Sequence, residues 1–118
     1  MLLDSNIIIY LTNDISLEKF FLDKLVYASI GTKIEVLGFH KISESEKEKL
    51  EAFFDSITVL DLSLKIADKA IQLRQTKKIS LGDSIIAATA LLHKLPLVTA
   101  NVDDFKWIKD LKIINPLS

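Results

Sequence analysis

The sequence contains no cysteine, a single arginine, and only three glycines and two prolines in 118 residues. The absence of cysteine rules out disulfides and thiolate metal sites, and fits a reducing, cytoplasmic compartment. One arginine limits bidentate clamping of phosphates. With so few glycines there is no phosphate-cradling glycine loop. No signal-peptide pattern precedes Asp4, and the apolar run from Asn6 to Thr12 is far too short to span a bilayer. The net charge of −1 gives no global attraction to nucleic acid, so any phosphate binding must come from a local patch. There is also no linker, internal repeat or low-complexity tract, and the length suits one domain over residues 1–118 with a core of its own.

Hydrophobic periodicity sets out an alternating order of elements. Met1–Asp4 reads as a short buried strand, Ser5–Thr12 as a helix and Leu17–Lys24 as a second helical piece. A strand near Leu25–Ser29 follows, then a helix over Gly31–Phe39 that Gly38 and the branched residues weaken. Ser43-Glu-Ser-Glu46 is a capping-box pattern that opens a helix through about Phe54. Ile57–Leu60 is rich in β-branched residues and predicts a strand, and Ser63–Lys77 carries a clear helical stripe. A helix over Ser80–Lys94, a strand over Pro96–Thr99, a helical turn over Asp103–Trp107 and a strand over Lys112–Ile114 complete the chain. Strands alternating with helices, without a two-residue hairpin signal, predict an α/β fold: a parallel sheet of about four to five strands with helices on both faces.

Ligands of an open parallel sheet gather at the carboxyl ends of its strands. Asp4 follows the first strand, Glu35 lies beyond the second, and Asn101, Asp103 and Asp104 follow the strand that ends at Thr99. Asp83 opens an otherwise almost wholly apolar helix, which requires it to face a cleft, pair, or bind a metal. If that helix leads into the returning strand, Asp83 reaches the same rim. Two unit charges 4 Å apart repel by roughly 4 kcal/mol at an effective dielectric of 20, so several carboxylates there call for a cation. Oxygen ligands without histidine or cysteine select a hard ion, Mg²⁺ or Mn²⁺.

Asp4-Ser-Asn6 after an apolar strand, Glu35 in IGTKIEVLGF, Asp83 in GDSIIAATA and Thr99-Ala-Asn101-Val-Asp-Asp104-Phe105 together resemble the PIN domain family, in particular its VapC-type toxins. The resemblance runs nearly end to end and finishes with Ile113-Ile-Asn-Pro116; its most specific blocks are GDSIIAATA and LVTANVDDF. It implies a PIN-like, Rossmann-like sheet and a Mg²⁺- or Mn²⁺-dependent endoribonuclease that leaves 5′-phosphate and 3′-hydroxyl ends. It maps the metal-binding and catalytic acids onto Asp4, Glu35, Asp83 and Asp104, with Asn6, Thr99, Asn101 and Asp103 lining the site. Many PIN domains carry Asp two residues after the Thr, where this chain has Asn101; Asp104 matches the acid that VapC-type sequences carry before the Phe. The chain is slightly short for the family, which suggests a trimmed region between Asn13 and Leu25. The resemblance further implies a homodimer held in check by a small antitoxin that inserts a peptide near the acids, and the short apolar runs predict no membrane association. Ile8, Ile9, Phe20 and Phe21 could form such contact surfaces or belong to the core.

Each residue taken alone also has an ordinary explanation. Asp4 is a good N-cap, and Asp83 stands three residues after Ser80 as a capping-box acid would. Glu35 fits a solvated helix face, Asp103 and Asp104 fit caps, and Thr89 suits a back-bond to a carbonyl. Trp107 reads as core or interface. Lys33, Lys41, Arg74, Lys77 and Lys78 are candidate RNA contacts, although basic residues near a helix C-terminus equally complement its dipole. The joint placement of four acids, each at the position the family resemblance implies, favours a nuclease. The Asn101 departure keeps open a PIN-fold binding module with a weak or inactive site. A phosphoryl-transfer hydrolase ranks lower, because Asn6 stands where its second Asp belongs.

Overall fold

A computed structural model describes residues 1–117; of residues 15 and 16 it describes the backbone alone. The described residues form β1 (Leu2–Leu3), α1 (Ser5–Asn13), α2 (Ile15–Phe21), β2 (Tyr27–Ser29), α3 (Ile30–Leu37), α4 (Glu44–Asp55) and β3 (Thr58–Leu60). They continue with α5 (Leu64–Thr76), α6 (Leu81–His93), β4 (Leu97–Val98), α7 (Val102–Phe105) and β5 (Ile113–Ile114). Every strand pairing is parallel, and the strand order is β3-β2-β1-β4-β5. The α/β parallel sheet expected from the periodicity is the observed one, with five strands.

Register explains the two-sided core. Leu2 pairs with Leu97, and Leu3 with Val98. Successive strand residues face opposite sides of a sheet, so Leu2 and Leu97 enter one hydrophobic cluster while Leu3 and Val98 enter the other. The cluster around Leu2 is covered by Ile66, Ala70, Leu73, Ile86, Ala87 and Phe105 from α5, α6 and α7. The cluster around Leu3 is covered by Ile7, Ile8, Leu11, Val36, Leu50 and Phe54 from α1, α3 and α4. The general preference of parallel strands for right-handed crossovers accounts for this division, because strands are added one way from β1 to β3 and the other way from β4 to β5. Full burial of side chains such as Leu2, Leu3 and Ile7 stabilises the fold by roughly 1.5–3 kcal/mol apiece.

The observed strands are shorter than the apolar runs that predict them. At β1 the reason is specific: Asp4 leaves the strand to become the N-cap of α1. Helix ends follow the expected chemistry. Ser43 and Glu46 close a reciprocal capping box on α4, and α6 ends with Lys94 in a left-handed conformation, φ 54°, just before Pro96. Ile8 and Phe21 are core residues, Phe20 is half-buried, and Ile9 remains exposed. No helix among the described residues is long and apolar enough to cross a membrane.

Candidate functional site

The direction in which strands are added to the sheet reverses between β1 and β4, the position where open α/β sheets form a crevice. Asp4 stands at that point, buried at 8% exposure. Its backbone N–H donates to the Val98 carbonyl at 3.1 Å, continuing the β1–β4 register by one residue. Its side chain does two jobs. Oδ1 accepts the Ile7 N–H at 2.9 Å, which caps α1, and Oδ2 accepts the hydroxyl of buried Thr99 from the end of β4. Asp4 therefore caps α1 and still has capacity for a further partner, since each carboxylate oxygen keeps a second lone pair.

Two more carboxylates reach the same place from other elements. Glu35 projects from α3, whose start is fixed by Ser29: the Ser29 hydroxyl oxygen accepts the Thr32 N–H at 3.0 Å. Asp83 lies in the first turn of α6, where Ser80 is the N-cap and accepts the Asp83 N–H at 3.1 Å. Asp4, Glu35 and Asp83 line one pocket of 130 Å³ together with Ser5, Asn6, Thr32, Gly82, Ile86 and Asn101. Gly82 makes room for this arrangement. A Cβ there would stand 2.1 Å from Glu35 Oε1, so the Glu35 carboxylate rests where any larger residue would place its side chain.

Electrostatics records how the acids share the pocket. Burial pushes the Asp4 carboxyl above its ordinary range, against the hydrogen bonds from Thr99 and the Ile7 and Asn6 backbone. Burial also raises Glu35, helped by the negative charges of Asp83 and Asp4, while a Ser5 hydrogen bond opposes the rise. Asp83 is raised by burial, lowered by the Ser80 hydroxyl, and raised again by Asp104 and Asp4. Three carboxyl groups held above their normal range by desolvation, two of them also by neighbouring carboxylates, form a site that favours a positive charge.

The donor set is all hard oxygen, which suits Mg²⁺ or Mn²⁺. Among the described residues no three acidic or histidine side chains converge as a ready-made metal cage. An ion that keeps several waters and takes one or two carboxylates plus phosphate oxygens fits such an open cluster. Asp104 and Asp103 stand outside the acidic pocket. They line a neighbouring cleft of 320 Å³ with Lys77, Lys78, Ile79, Ser80, Asp83 and Trp107. Asn101, in contrast, lines the acidic pocket itself. Its N–H donates to the Thr99 hydroxyl oxygen at 3.0 Å, so Thr99 ties Asp4 to the following loop. Asp103 pairs with Lys106 at 2.9 Å.

Of the basic candidates, Lys77 and Lys78 reach the neighbouring cleft, whereas Lys33, on α3, and Arg74, in the last turn of α5, line neither cavity. Ser5, Thr32, Gly82 and Ile86 were not singled out by residue type. Thr32 could have been found from its position three residues before Glu35, on the same helical face, and Gly82 and Ser5 from their adjacency to Asp83 and Asp4. An apolar groove of 350 Å³ adjoins the acids, lined by Ile9, Val36, Phe39, Ile42 and Leu50, with Ser5 and Glu35 at its edge. Nothing in the local sequence pattern marks it, because its residues come from α1, α3, α4 and the connection between α3 and α4.

Comparison with known proteins places this geometry in a family. The PIN domain model matches residues 1–111. Among solved structures, a chain of a toxin–antitoxin complex from Klebsiella pneumoniae aligns with a TM-score of 0.81 and 31% identity, covering 98% of this chain and 96% of that one. A chain of VapBC2 from Rickettsia felis, bound to a DNA fragment from their promoter, aligns at 0.80 and 26% identity, covering 97% and 96%. A chain of VapBC-1 from nontypeable Haemophilus influenzae aligns at 0.81 and 26% identity, covering 99% and 98%. No curated protein matches by sequence.

Proposed function

Because the chain belongs to the PIN domain family, with the family model spanning residues 1–111, we propose that it is a metal-dependent endoribonuclease acting as the toxin of a toxin–antitoxin pair. The likeness to toxin–antitoxin structures supports a toxin nuclease. One observation carries the chemistry: Asp4, Glu35 and Asp83, from three separate elements, meet in one pocket at the carboxyl edge of the sheet.

Asp4 and Asp83 would hold Mg²⁺ or Mn²⁺, with Asp104 adding negative charge from the adjoining cleft and Glu35 positioning the attacking water or holding a second ion. The ion would lower the pKa of a bound water and offset charge on the scissile phosphate and leaving oxygen. The protein's own part is orientation. Asp4 cannot swing, because Ile7 and Thr99 hold one oxygen each. Asp83 rides on the first turn of α6, packed beneath by the buried Ser84, Ile86 and Ala87. Glu35, on its longer stem, is braced by Ser5 and has space over Gly82. Asn6 and Asn101 supply neutral polar groups for the sugar–phosphate chain; products would carry 5′-phosphate and 3′-hydroxyl ends.

The apolar groove that ends at Glu35 supports an antitoxin partner: a peptide with apolar side chains in the groove would block the acids. Exposed Leu64 and Ile71, seven residues apart and so on one face of α5, support a homodimer. A second reading, a binding module with little or no activity, draws on Asn101 occupying the pocket while Asp104 stays outside.

The test is cleavage of RNA by the purified protein with Mn²⁺ or Mg²⁺, beside an Asp83→Asn variant. Metal-dependent cleavage that the variant loses is the expected result. Equal cleavage by both proteins would overturn the assignment, and cleavage by neither would favour the binding module.

A further inference from the structure

We propose that the cleft beside the acidic pocket, walled by Trp107 and the Lys77–Lys78 pair, is a subsite that stacks one unpaired nucleobase of the RNA and holds its adjoining phosphate. The proposal rests on the nuclease reading and adds a substrate-positioning subsite built from this chain's own Trp107 and Lys77.

The cleft has a volume of 320 Å³, within the ~300–1,000 Å³ range of small-ligand sites. It shares Asp83 with the acidic pocket, so a strand lying in one continues into the other. Trp107 forms a fixed wall. It is half-buried against the α5–α6 core, and its indole N–H donates to the Asp104 carbonyl at 2.9 Å. With the N–H committed to backbone, the ring offers a π-face and no hydrogen-bond code, which suits any base.

Lys77 supplies the second observation. Its Nζ lies 5.6 Å from the Trp107 ring centroid, a cation–π contact between two residues that both line the cleft. Among the described residues neither Lys77 nor Lys78 makes an ion pair, whereas Asp103 is already matched by Lys106. A base settling on the ring takes the place of the ammonium group, which is then free to meet the phosphate beside it. A base inside a duplex has both faces covered by its neighbours and cannot make this exchange. The site therefore selects unpaired nucleotides.

Trp107 is the only tryptophan, so its fluorescence reports on this cleft alone. The full-length protein is titrated in EDTA, which prevents cleavage, with a short single-stranded RNA, an abasic strand of equal charge, and an RNA duplex. Quenching by the single strand, with at least tenfold weaker response to the abasic strand and the duplex, is expected. Equal quenching by single and abasic strands would mean charge attraction alone and would overturn the subsite. Absence of quenching in a protein that cleaves RNA with Mg²⁺ would also overturn it, leaving the nuclease reading intact. Quenching without any metal-dependent cleavage would retain the subsite and remove the nuclease. A change in Trp107 emission with protein concentration, in the absence of RNA, would give the cleft to a second copy of the chain and end the proposal. For anisotropy with a labelled strand, Trp107→Leu is expected to bind about tenfold more weakly. Trp107→Phe, which keeps a ring in the core, is expected to lose less; equal affinity of all three proteins would count against stacking. In cleavage assays the Leu variant should show the loss in KM more than in kcat.

Discussion

The hydroxyl of Thr99 donates to Asp4 Oδ2, joining two residues 95 positions apart across the boundary between β4 and β1. Both side chains are buried, and Thr99 also accepts the Asn101 N–H. The pair sits one step past the last paired residues of the two strands, Leu3 and Val98. The hydrogen bond thus couples the sheet register to the orientation of an acid that lines the pocket.

Replacing Thr99 by Val keeps the shape and removes the hydroxyl. The buried Asp4 oxygen then lacks a donor, a loss of about 1–3 kcal/mol in stability. Nuclease activity should fall as well, because Asp4 is no longer held on both sides. Thr99→Ser retains the hydroxyl and should recover most of both properties in a urea melt and a cleavage assay.

The acids also set a pH dependence. Asp4, Glu35 and Asp83 all bind protons more tightly in the folded state than ordinary carboxylates do. The folded protein therefore carries more protons than the unfolded chain just above the ordinary carboxylate range, so stability falls as pH rises through that window. Without divalent ions, urea melts should show a negative slope there, and Asp83→Asn should flatten it. Near neutrality the same variant should melt about 2–5 °C higher than the parent, a modest gain because Asp83 is partly screened by solvent. A stability that climbs through this window would contradict the shared-pocket electrostatics.

Mg²⁺ or Mn²⁺ should reverse that penalty. At a tenfold excess of free ion over its Kd, binding to the folded state adds about 1.4 kcal/mol, or roughly 4–8 °C in melting temperature for a chain of this size. Thermal melts with and without the ion read this independently of catalysis. An unchanged shift in Asp83→Asn would place the ion outside the pocket.

Gly82→Ala separates stability from activity. The new Cβ would stand 2.1 Å from Glu35 Oε1 and 3.1 Å from Cδ, so the carboxylate must move. Alanine favours the helix by up to about 1 kcal/mol, and the obstacle is only the end of a flexible side chain. The variant should melt no lower than the parent while cleaving about 10- to 100-fold more slowly. Adding Glu35→Gln should cause little further loss if the two changes act on the same group.

Much of this was legible in the residues. Periodicity revealed the order of the twelve elements found among the described residues, because apolar spacing at 2.0 or 3.6 is imposed by burial itself. The Ser43–Glu46 capping box and the Thr89 back-bond to Ile85, at 2.7 Å, depend on neighbours three or four residues away and were equally readable. The loop after β4 is different: Asp104 matches a motif by position and lines the Lys77 and Trp107 cleft, from which its charge still raises Asp83, while Asn101 lines the acidic pocket. Which way each residue of a short loop points depends on Thr99 and the turn after β4, and no local pattern encodes that.

The sequence alone determined that this chain is an α/β protein with acids at the ends of its strands and of one apolar helix. Those features are local, fixed by residue type and spacing along the chain. Tertiary structure alone decided which acids share a pocket, that Gly82 leaves space for Glu35, and that Trp107 and Lys77 meet beside Asp83. These are distances between elements far apart in sequence, and they are set by strand order, crossover handedness and the packing of helices on the sheet.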